Sequence, residues 1–177
     1  NKVCRLLVVL KKGYFKYPNS DIHKPQRSFN SFVKSSLLRQ LGKQIWLVDM
    51  GSGKGQDLFR YADNHMRNVL FLDIDPNALS ELITRKKIFL TGRQETGEED
   101  RKLSRSKDRK MGIYILEMDL NDNYENNISN IKRKIPVPKE GVPLVICSFT
   151  FHYLMKNARQ LENIILFIDK IVANDGQ

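Results

Sequence analysis

The sequence of 177 residues predicts an α/β fold in which helices flank a parallel sheet. The first observation is the segment IWLVDMGSGKGQDL at 45–58, where an apolar strand-like run ends in a glycine-rich turn and a helix-like pattern follows. The second is the apolar run VLFLD at 69–73, which also ends in an acidic residue. Further strand-like and helix-like segments alternate along the chain. This alternation is typical of doubly wound sheets, which bind ligands at the carboxyl ends of their strands.

Composition and charge limit the possible functions. Hydrophobic residues make up 41% of the sequence, which suits a globular domain, and no apolar run reaches membrane-spanning length. Cys4 and Cys147 lie far apart and are expected to be buried thiols, so no metal site is expected. The net charge of +10 favours a polyanionic partner such as RNA, DNA or an acidic membrane, with a solvated basic surface as the alternative.

The N-terminal segment is expected to lie outside the core. Residues 3–10 predict a strand, and the prolines and polar residues of 11–26 predict an extended linker. We therefore expect residues 1–26 to be an N-terminal strand and linker, and residues 27–177 to form the core.

The first core helix is predicted over residues 27–41. Ser28 is a plausible N-cap, and Gly42 is a plausible terminator. Apolar residues at helical spacing predict a buried face formed by Phe29, Phe32, Val33, Leu37 and Leu41. Lys34 lies beside this face, and the pattern alone predicts that its ammonium group points to solvent.

The glycine-rich turn contains Gly51, Gly53 and Gly55 in a G-x-G-x-G pattern directly after Asp49. A dinucleotide site would require G-x-G-x-x-G, with a helix N-terminus facing a pyrophosphate. Asp49 beside the turn would repel phosphate and would suit a ligand with an ammonium group, such as S-adenosylmethionine. Another nucleotide or a purely structural turn remains an alternative.

Asp73 ends the second apolar run about twenty residues after the glycines. A carboxylate at this point can accept hydrogen bonds from both hydroxyls of a ribose. The alternative is a solvated acid at a strand end. Asp75 is expected to cap the next helix, with Pro76 at its first position.

The remaining elements follow from the same patterns. Residues 92–112 are rich in charge and predict a mobile loop or insertion, with an RNA-gripping role as the alternative. The predicted elements are helices at 56–66, 76–90, 123–134 and 157–173 and strands at 69–73, 113–118 and 144–148. Asp119 follows the third strand. Phe149, His152 and Tyr153 follow the fourth strand, so we expect them at the mouth of the site, where aromatic and imidazole rings could hold a flat base.

Three segments together resemble the mRNA cap (guanine-N7) methyltransferases. RSFNSFVKSSLL at 27–38, VDMGSGKGQDL at 48–58 and CSFTFHYL at 147–154 are similar to that family's RNFNNWxKSxLI, LDLGCGKGGDL and CQFxxHYxF, in the same order and spacing. The resemblance extends from residue 27 to the end. In its departures from the cellular family members and in its large charged insertion, the sequence is most similar to the capping enzymes of large cytoplasmic DNA viruses.

The resemblance implies a Rossmann-like S-adenosylmethionine-dependent methyltransferase fold and assigns the site. Lys34 would turn inward to hold the cofactor carboxylate, which reverses the pattern-based prediction. Cofactor contacts are implied for Lys34, Asp49, Gly51, Gly53, Asp73, Asp119 and Ser148, with Asp73 on the ribose and Asp119 on the adenine. Cap-guanosine contacts are implied for Asn30, Phe149, His152 and Tyr153. Asp57 would orient the glycine loop or the first helix. Ser31 and Ser148 replace the family's usual Asn and Gln.

The implied reaction transfers a methyl group to guanine N7. Because N7 carries an in-plane lone pair, no general base is required, and alignment of the reactants can supply the catalysis. The implied partners are 5′-capped mRNA and the other capping domains, a triphosphatase and a guanylyltransferase. The implied location is the host cytoplasm or the virion if the protein is viral, and the nucleus if it is cellular. The alternatives are a methyltransferase for another RNA position or a small molecule, and an inactive RNA-binding module. The resemblance also predicts that the C-terminal strands of the fold lie beyond residue 177.

Overall fold

A computed structural model of the chain describes residues 24–91 and 110–176, in two units, residues 1–41 and 42–177. The strand predicted at 3–10, the linker before residue 24 and most of the charged run lie outside the described residues. The described elements are α1 (Lys24–Leu41), β1 (Trp46–Met50), α2 (Leu58–Asp63), β2 (Asn68–Asp73), α3 (Pro76–Thr91), β3 (Gly112–Glu117), α4 (Tyr124–Lys134), β4 (Leu144–Ile146), α5 (Phe151–Leu154) and α6 (Ala158–Ile171).

The described part of the first unit is helix α1. The helix begins at Lys24, so Ser28 lies inside it and is not the cap. Gly42 ends it with a left-handed φ of +69°, as predicted. The predicted buried face was wrong, because Phe29 and Phe32 are each 64% exposed. Helical spacing determines which residues share a face, but it does not determine whether other residues cover that face.

The second unit contains a four-stranded sheet in the order β3-β2-β1-β4, with every neighbouring pair parallel. The register places Leu47 of β1 beside Val69 of β2 and Leu144 of β4. All five residues of β1 are buried. These observations confirm the α/β, Rossmann-like fold class and explain the continuous apolar runs, since a central parallel strand is covered on both faces.

Two helical layers cover the sheet. Side chains alternate between the faces of a strand. On one face, Val48 and Leu70 belong to a core cluster that includes Ile131 of α4 and Phe167 of α6. On the other face, Tyr61 of α2 contacts the ring of Phe71, with ring centroids 5.9 Å apart. The sheet is therefore enclosed on both sides, which leaves the carboxyl ends of its strands as the place for a site.

Local signals fix several of the element ends. Asp75 caps α3, because its Oδ1 atom accepts a hydrogen bond of 2.9 Å from the Asn77 N–H, as predicted. Strand β4 ends at Ile146, two residues earlier than predicted. Helix α6 buries Ile164, Phe167 and Ile171, whereas Leu161 and Ile165 of the same helix are 37% and 54% exposed.

Candidate functional site

The glycine loop joins β1 to α2 at the carboxyl edge of the sheet. Gly51, Gly53 and Gly55 all have left-handed backbones, with φ values of +70°, +53° and +65°. A Cβ atom at Gly51 would collide with the side chain of Thr150, and one at Gly55 would collide with Leu82. The backbone conformation therefore favours glycine at all three positions, and the space beside Thr150 adds a steric reason at Gly51.

The end of β2 holds the loop in place. The Gly51 and Ser52 N–H groups both donate to the Leu72 carbonyl, at 2.9 and 3.0 Å. The Gly53 N–H donates to Asp73 Oδ2 at 2.7 Å, and the Asp75 N–H donates to Asp73 Oδ1 at 2.9 Å. A carboxylate oxygen can accept more than one hydrogen bond. Asp73 therefore fixes the loop and still has acceptor capacity on both oxygens.

Asp49 provides a buried negative charge near the loop. Asp49 is only 3% exposed, and its Oδ2 atom accepts a 2.9 Å hydrogen bond from the Tyr61 hydroxyl. Burial, reinforced by Asp49, raises the pKa of Tyr61 well above its usual value. Burial and then Asp49 likewise raise the pKa of the Cys147 thiol to about 11. The Asp49 charge favours a cation and opposes a phosphate in this neighbourhood.

The start of α2 is held by ion pairs. Asp57 is 8% exposed and forms an ion pair with Arg60, one turn along the helix. Lys54, in the loop itself, contacts Glu81 of α3 at 2.6 Å. These contacts attach the loop to two helices, and the orienting role of Asp57 stays a prediction.

Asp119 lies next to Asp73 across the edge of the sheet. The Met118 N–H donates to the Asp73 carbonyl at 2.9 Å, which brings the segment after β3 to the end of β2. The Asn121 N–H and Nδ2 groups both donate to Asp119 Oδ1, at 2.8 and 3.1 Å. The structure thus brings Asp49, Asp73 and Asp119 to the ends of adjacent strands, on the same side as the glycine loop.

The segment after β4 contacts the glycine loop through Thr150. Its hydroxyl lies within hydrogen-bonding distance of the Gly51 carbonyl, at 3.2 Å, and of the Ser148 carbonyl, at 3.3 Å. Phe149, just before it, adopts a left-handed φ of +64°, which is strained for a bulky residue, and is 63% exposed. The two loops therefore meet at Gly51, with the Phe149 ring at the surface.

His152 and Tyr153 lie on the short helix α5. Both are exposed, and their ring centroids are 3.9 Å apart. Leu154 is the residue of α5 that is buried, while Phe151 is 37% exposed. The rings predicted at the site mouth are accessible to a ligand.

Asn30 and Lys34 lie one turn apart on α1, in the first unit. Both are partly buried, and residues four apart share one face of a helix. Their contacts with the cofactor and the cap stay predictions.

Two residues of the site, Thr150 and Tyr61, have no signal of their own in the sequence. Thr150 lies within the quoted segment CSFTFHYL but has no pattern of its own that predicts a contact with Gly51. Tyr61 lies in the first turn of α2, where an aromatic residue is equally typical of core packing. In both cases the partner is distant in sequence, so periodicity gives no signal.

Two further features, a metal site and a membrane-spanning helix, are absent from the described residues. Over 24–91 and 110–176, no group of three His, Cys, Asp or Glu side chains could hold a metal ion. In the same part of the chain, no helix is sufficiently long and apolar to cross a membrane.

Comparison with known proteins places this geometry in context. No protein-family model matches the chain. The chain is 32% identical, over 163 residues, to the mRNA-capping enzyme of African swine fever virus (isolate Tick/South Africa/Pretoriuskop Pr4/1996). This match covers 92% of the chain, which spans 17% of the length of that relative.

Solved structures show the same fold. One is a SAM-dependent methyltransferase of Thiobacillus denitrificans in complex with S-adenosyl-L-homocysteine, with a TM-score of 0.50, 15% identity, and coverage of 84% of this chain and 45% of that one. Another is an S-adenosylmethionine-dependent methyltransferase of Clostridium acetobutylicum, with a TM-score of 0.51, 10% identity, and coverage of 99% and 55%. The chain therefore has the fold of S-adenosylmethionine-dependent methyltransferases.

Proposed function

We propose that this chain binds S-adenosylmethionine and transfers its methyl group to N7 of the 5′ cap guanosine of mRNA. One observation carries the proposal. A loop with three left-handed glycines lies at the sheet edge where three strands end in carboxylates, and one of these carboxylates, Asp73, accepts a hydrogen bond from the loop. Exposed aromatic and imidazole rings lie on the segment that contacts the loop through Thr150. The methyltransferase fold supports the cofactor, and the similarity to a viral mRNA-capping enzyme supports capped mRNA as the substrate.

The loop and the carboxylates fit the parts of this cofactor. Asp73 has acceptor capacity on each oxygen for the two ribose hydroxyls, and Asp119 lies beside it for the adenine amino group. Gly51 and Gly53 allow close approach of the methionine portion, and the buried charge of Asp49 favours its ammonium group. Lys34 and Ser148 complete the proposed cofactor contacts.

The cap guanosine is assigned to the rings after β4. Phe149, His152 and Tyr153 offer exposed faces that can stack on a flat base and favour a cationic product. Asn30 is proposed as a further cap contact. Bound S-adenosylmethionine supplies a methyl group on a positively charged sulfur, and the N7 lone pair can accept it without loss of a proton. The rings and carboxylates therefore need only to position and stabilise the reactants.

The same similarity supports a proposal for the cellular setting. We place the reaction in viral mRNA capping in the host cytoplasm, alongside the triphosphatase and guanylyltransferase activities that build the cap. The resemblance to a capping enzyme supports this placement, and co-purification of the chain with those activities would test it.

The test uses radiolabelled S-adenosylmethionine, a capped RNA ending in unmethylated guanosine, and nuclease digestion to identify the methylated base. Label in 7-methylguanosine is the expected result. Label in a ribose or an internal base would replace the proposal with another RNA methyltransferase activity. Cofactor binding without any transfer would indicate an inactive binding module.

Two variants separate the cap site from the cofactor site. We expect His152→Ala and Tyr153→Ala to keep cofactor affinity and lose methylation of a capped dinucleotide. Met155→Ala is the matched control, since Met155 follows the same short helix and is 46% exposed. Loss of cofactor binding with cap affinity intact would reverse the assignment.

A further inference from the structure

Helix α1 has an unusual charge distribution for a surface helix. Its eighteen residues include four basic side chains and no acidic one. Arg27 and Arg39 are exposed, and Phe29 and Phe32 are each 64% exposed beside them. A helix with cations, exposed rings and no acids has the composition expected of a nucleic-acid-binding surface.

The polar residues of α1 are ordered along its length. An open groove of about 550 Å³ is lined by Arg27, Ser28, Ser31, Phe32, Ser35 and Arg39, which we name the arginine–serine stripe. Residues 27, 31, 35 and 39 are four apart, so they follow one side of the helix. The Arg39 Nε group donates to the Ser35 carbonyl at 3.1 Å, which holds this guanidinium along the stripe.

We propose that the arginine–serine stripe binds the backbone of the RNA substrate. The inference rests on the proposed function for the identity of the RNA. Guanidinium and hydroxyl groups are the usual donors to phosphate oxygens, and Phe32 offers a ring on which a base can stack. Arg27 and Arg39 are twelve positions apart, which corresponds to about 18 Å along the helix axis and matches about five stacked nucleotides at about 3.4 Å each.

Charge complementarity favours RNA over a protein partner at this surface. A docked protein domain would have to cover Phe29 and Phe32 while packing against a helix that has basic side chains and no acidic one. Single-stranded RNA instead supplies a phosphate for each arginine and a base for each ring. We expect the stripe to bind RNA without sequence preference, because its polar groups contact the phosphate backbone and its ring stacks on the face of any base.

The test measures binding of a fluorescent, uncapped 20-nucleotide RNA to the full chain by anisotropy over a range of salt concentrations. The double variant Arg27→Gln/Arg39→Gln should lower the slope of log affinity against log salt by about 1.4, at about 0.7 for each phosphate that is no longer neutralised. Extrapolated from 1 M salt, this is a decrease of about 25-fold in affinity at 0.1 M. Phe32→Ala should lower affinity at least about fivefold and leave the slope unchanged.

Lys132→Gln/Lys134→Gln is the matched control, because it removes two exposed charges from α4 in the second unit. Its salt slope should equal that of the wild type, and far-ultraviolet circular dichroism should show that all variants fold. Unchanged RNA affinity and slope in the arginine variant would overturn the inference and favour a protein partner. An equal decrease in RNA affinity and salt slope in the control would also overturn the inference, because it would show that RNA is attracted by the general positive charge of the chain.

The assay uses uncapped RNA and no cofactor, so its result is independent of methyl transfer. RNA affinity that depends on the stripe in a chain without N7 methylation would keep the inference and refute the proposed function. N7 methylation with stripe-independent RNA affinity would do the reverse.

Discussion

Replacement of Tyr61 by Phe tests the buried hydrogen bond near the glycine loop. The substitution keeps the ring and its contact with Phe71, with ring centroids 5.9 Å apart, and removes only the hydroxyl that donates to Asp49 Oδ2 at 2.9 Å. Tyr61 is 1% exposed and Asp49 is 3% exposed, so water cannot replace the missing donor without a rearrangement. The perturbation is therefore the removal of one buried hydrogen bond to an acidic side chain.

The magnitude follows from that environment. A hydrogen bond to a charged group contributes about 1.5–3 kcal/mol, and burial places this one in the upper part of the range. We expect the free energy of unfolding to fall by about 1.5–3 kcal/mol at pH 7.5. This change corresponds to about a 10- to 150-fold increase in the equilibrium constant for unfolding.

Urea denaturation followed by tryptophan fluorescence is the assay. Trp46 is the single tryptophan of the sequence, is 6% exposed, and stacks on Tyr114 with ring centroids 5.2 Å apart, so its emission reports on the sheet. The denaturation slope should match the wild type, since the unfolded surface is unchanged.

Tyr124→Phe is the control, because the Tyr124 hydroxyl donates to Glu125 at 3.2 Å on the surface. It should leave stability close to that of the wild type. A decrease below about 0.5 kcal/mol for Tyr61→Phe, within the range of neutral surface changes, or equal decreases for both variants, would refute the role assigned to the buried hydrogen bond.

Three further predictions follow. The pKa of the Cys147 thiol is raised from 9.0 to about 11, so its contribution to stability is complete below pH 9 and is lost as the pH rises through 11. Urea titrations should show that the wild type loses stability relative to Cys147→Ser between these pH values, and parallel pH curves for the two proteins would contradict the prediction. Gly51→Ala should lower cofactor affinity, measured by calorimetry, at least tenfold, because Gly51 has a φ of +70° and a Cβ atom there would collide with Thr150. Adding Thr150→Ala should restore part of the lost affinity, and unchanged affinity in the single variant would show that the loop is not confined. Asp73→Ala should also lower cofactor affinity at least tenfold, because it removes the Gly53 anchor at 2.7 Å and the proposed charge-assisted hydrogen bonds to the ribose. A variant that folds and binds the cofactor normally would exclude Asp73 as the ribose contact.

The sequence determined the strands and longer helices of the second unit and the arrangement of the strands as a parallel sheet, but it did not predict the short helix α5. Buried parallel strands require continuous apolar runs, so VLFLD at 69–73 and the run before Gly51 were recognisable without coordinates. The Asp75 cap followed from residues within one turn. The three glycines marked a tight turn, and the structure shows that all three have left-handed φ values. These features depend on neighbours along the chain, where the pattern itself carries the physical constraint.

The tertiary structure alone decided which side chains meet. Thr150 contacts Gly51 across 99 residues, Asp73 anchors Gly53 across 20, and Tyr61 donates to Asp49 across 12. It also decided that Phe29 and Phe32 of α1 are exposed, although their spacing predicted a buried face. Periodicity specifies which residues of one element share a side. Only packing between elements distant in sequence determines what covers that side, and hence which polar groups become partners.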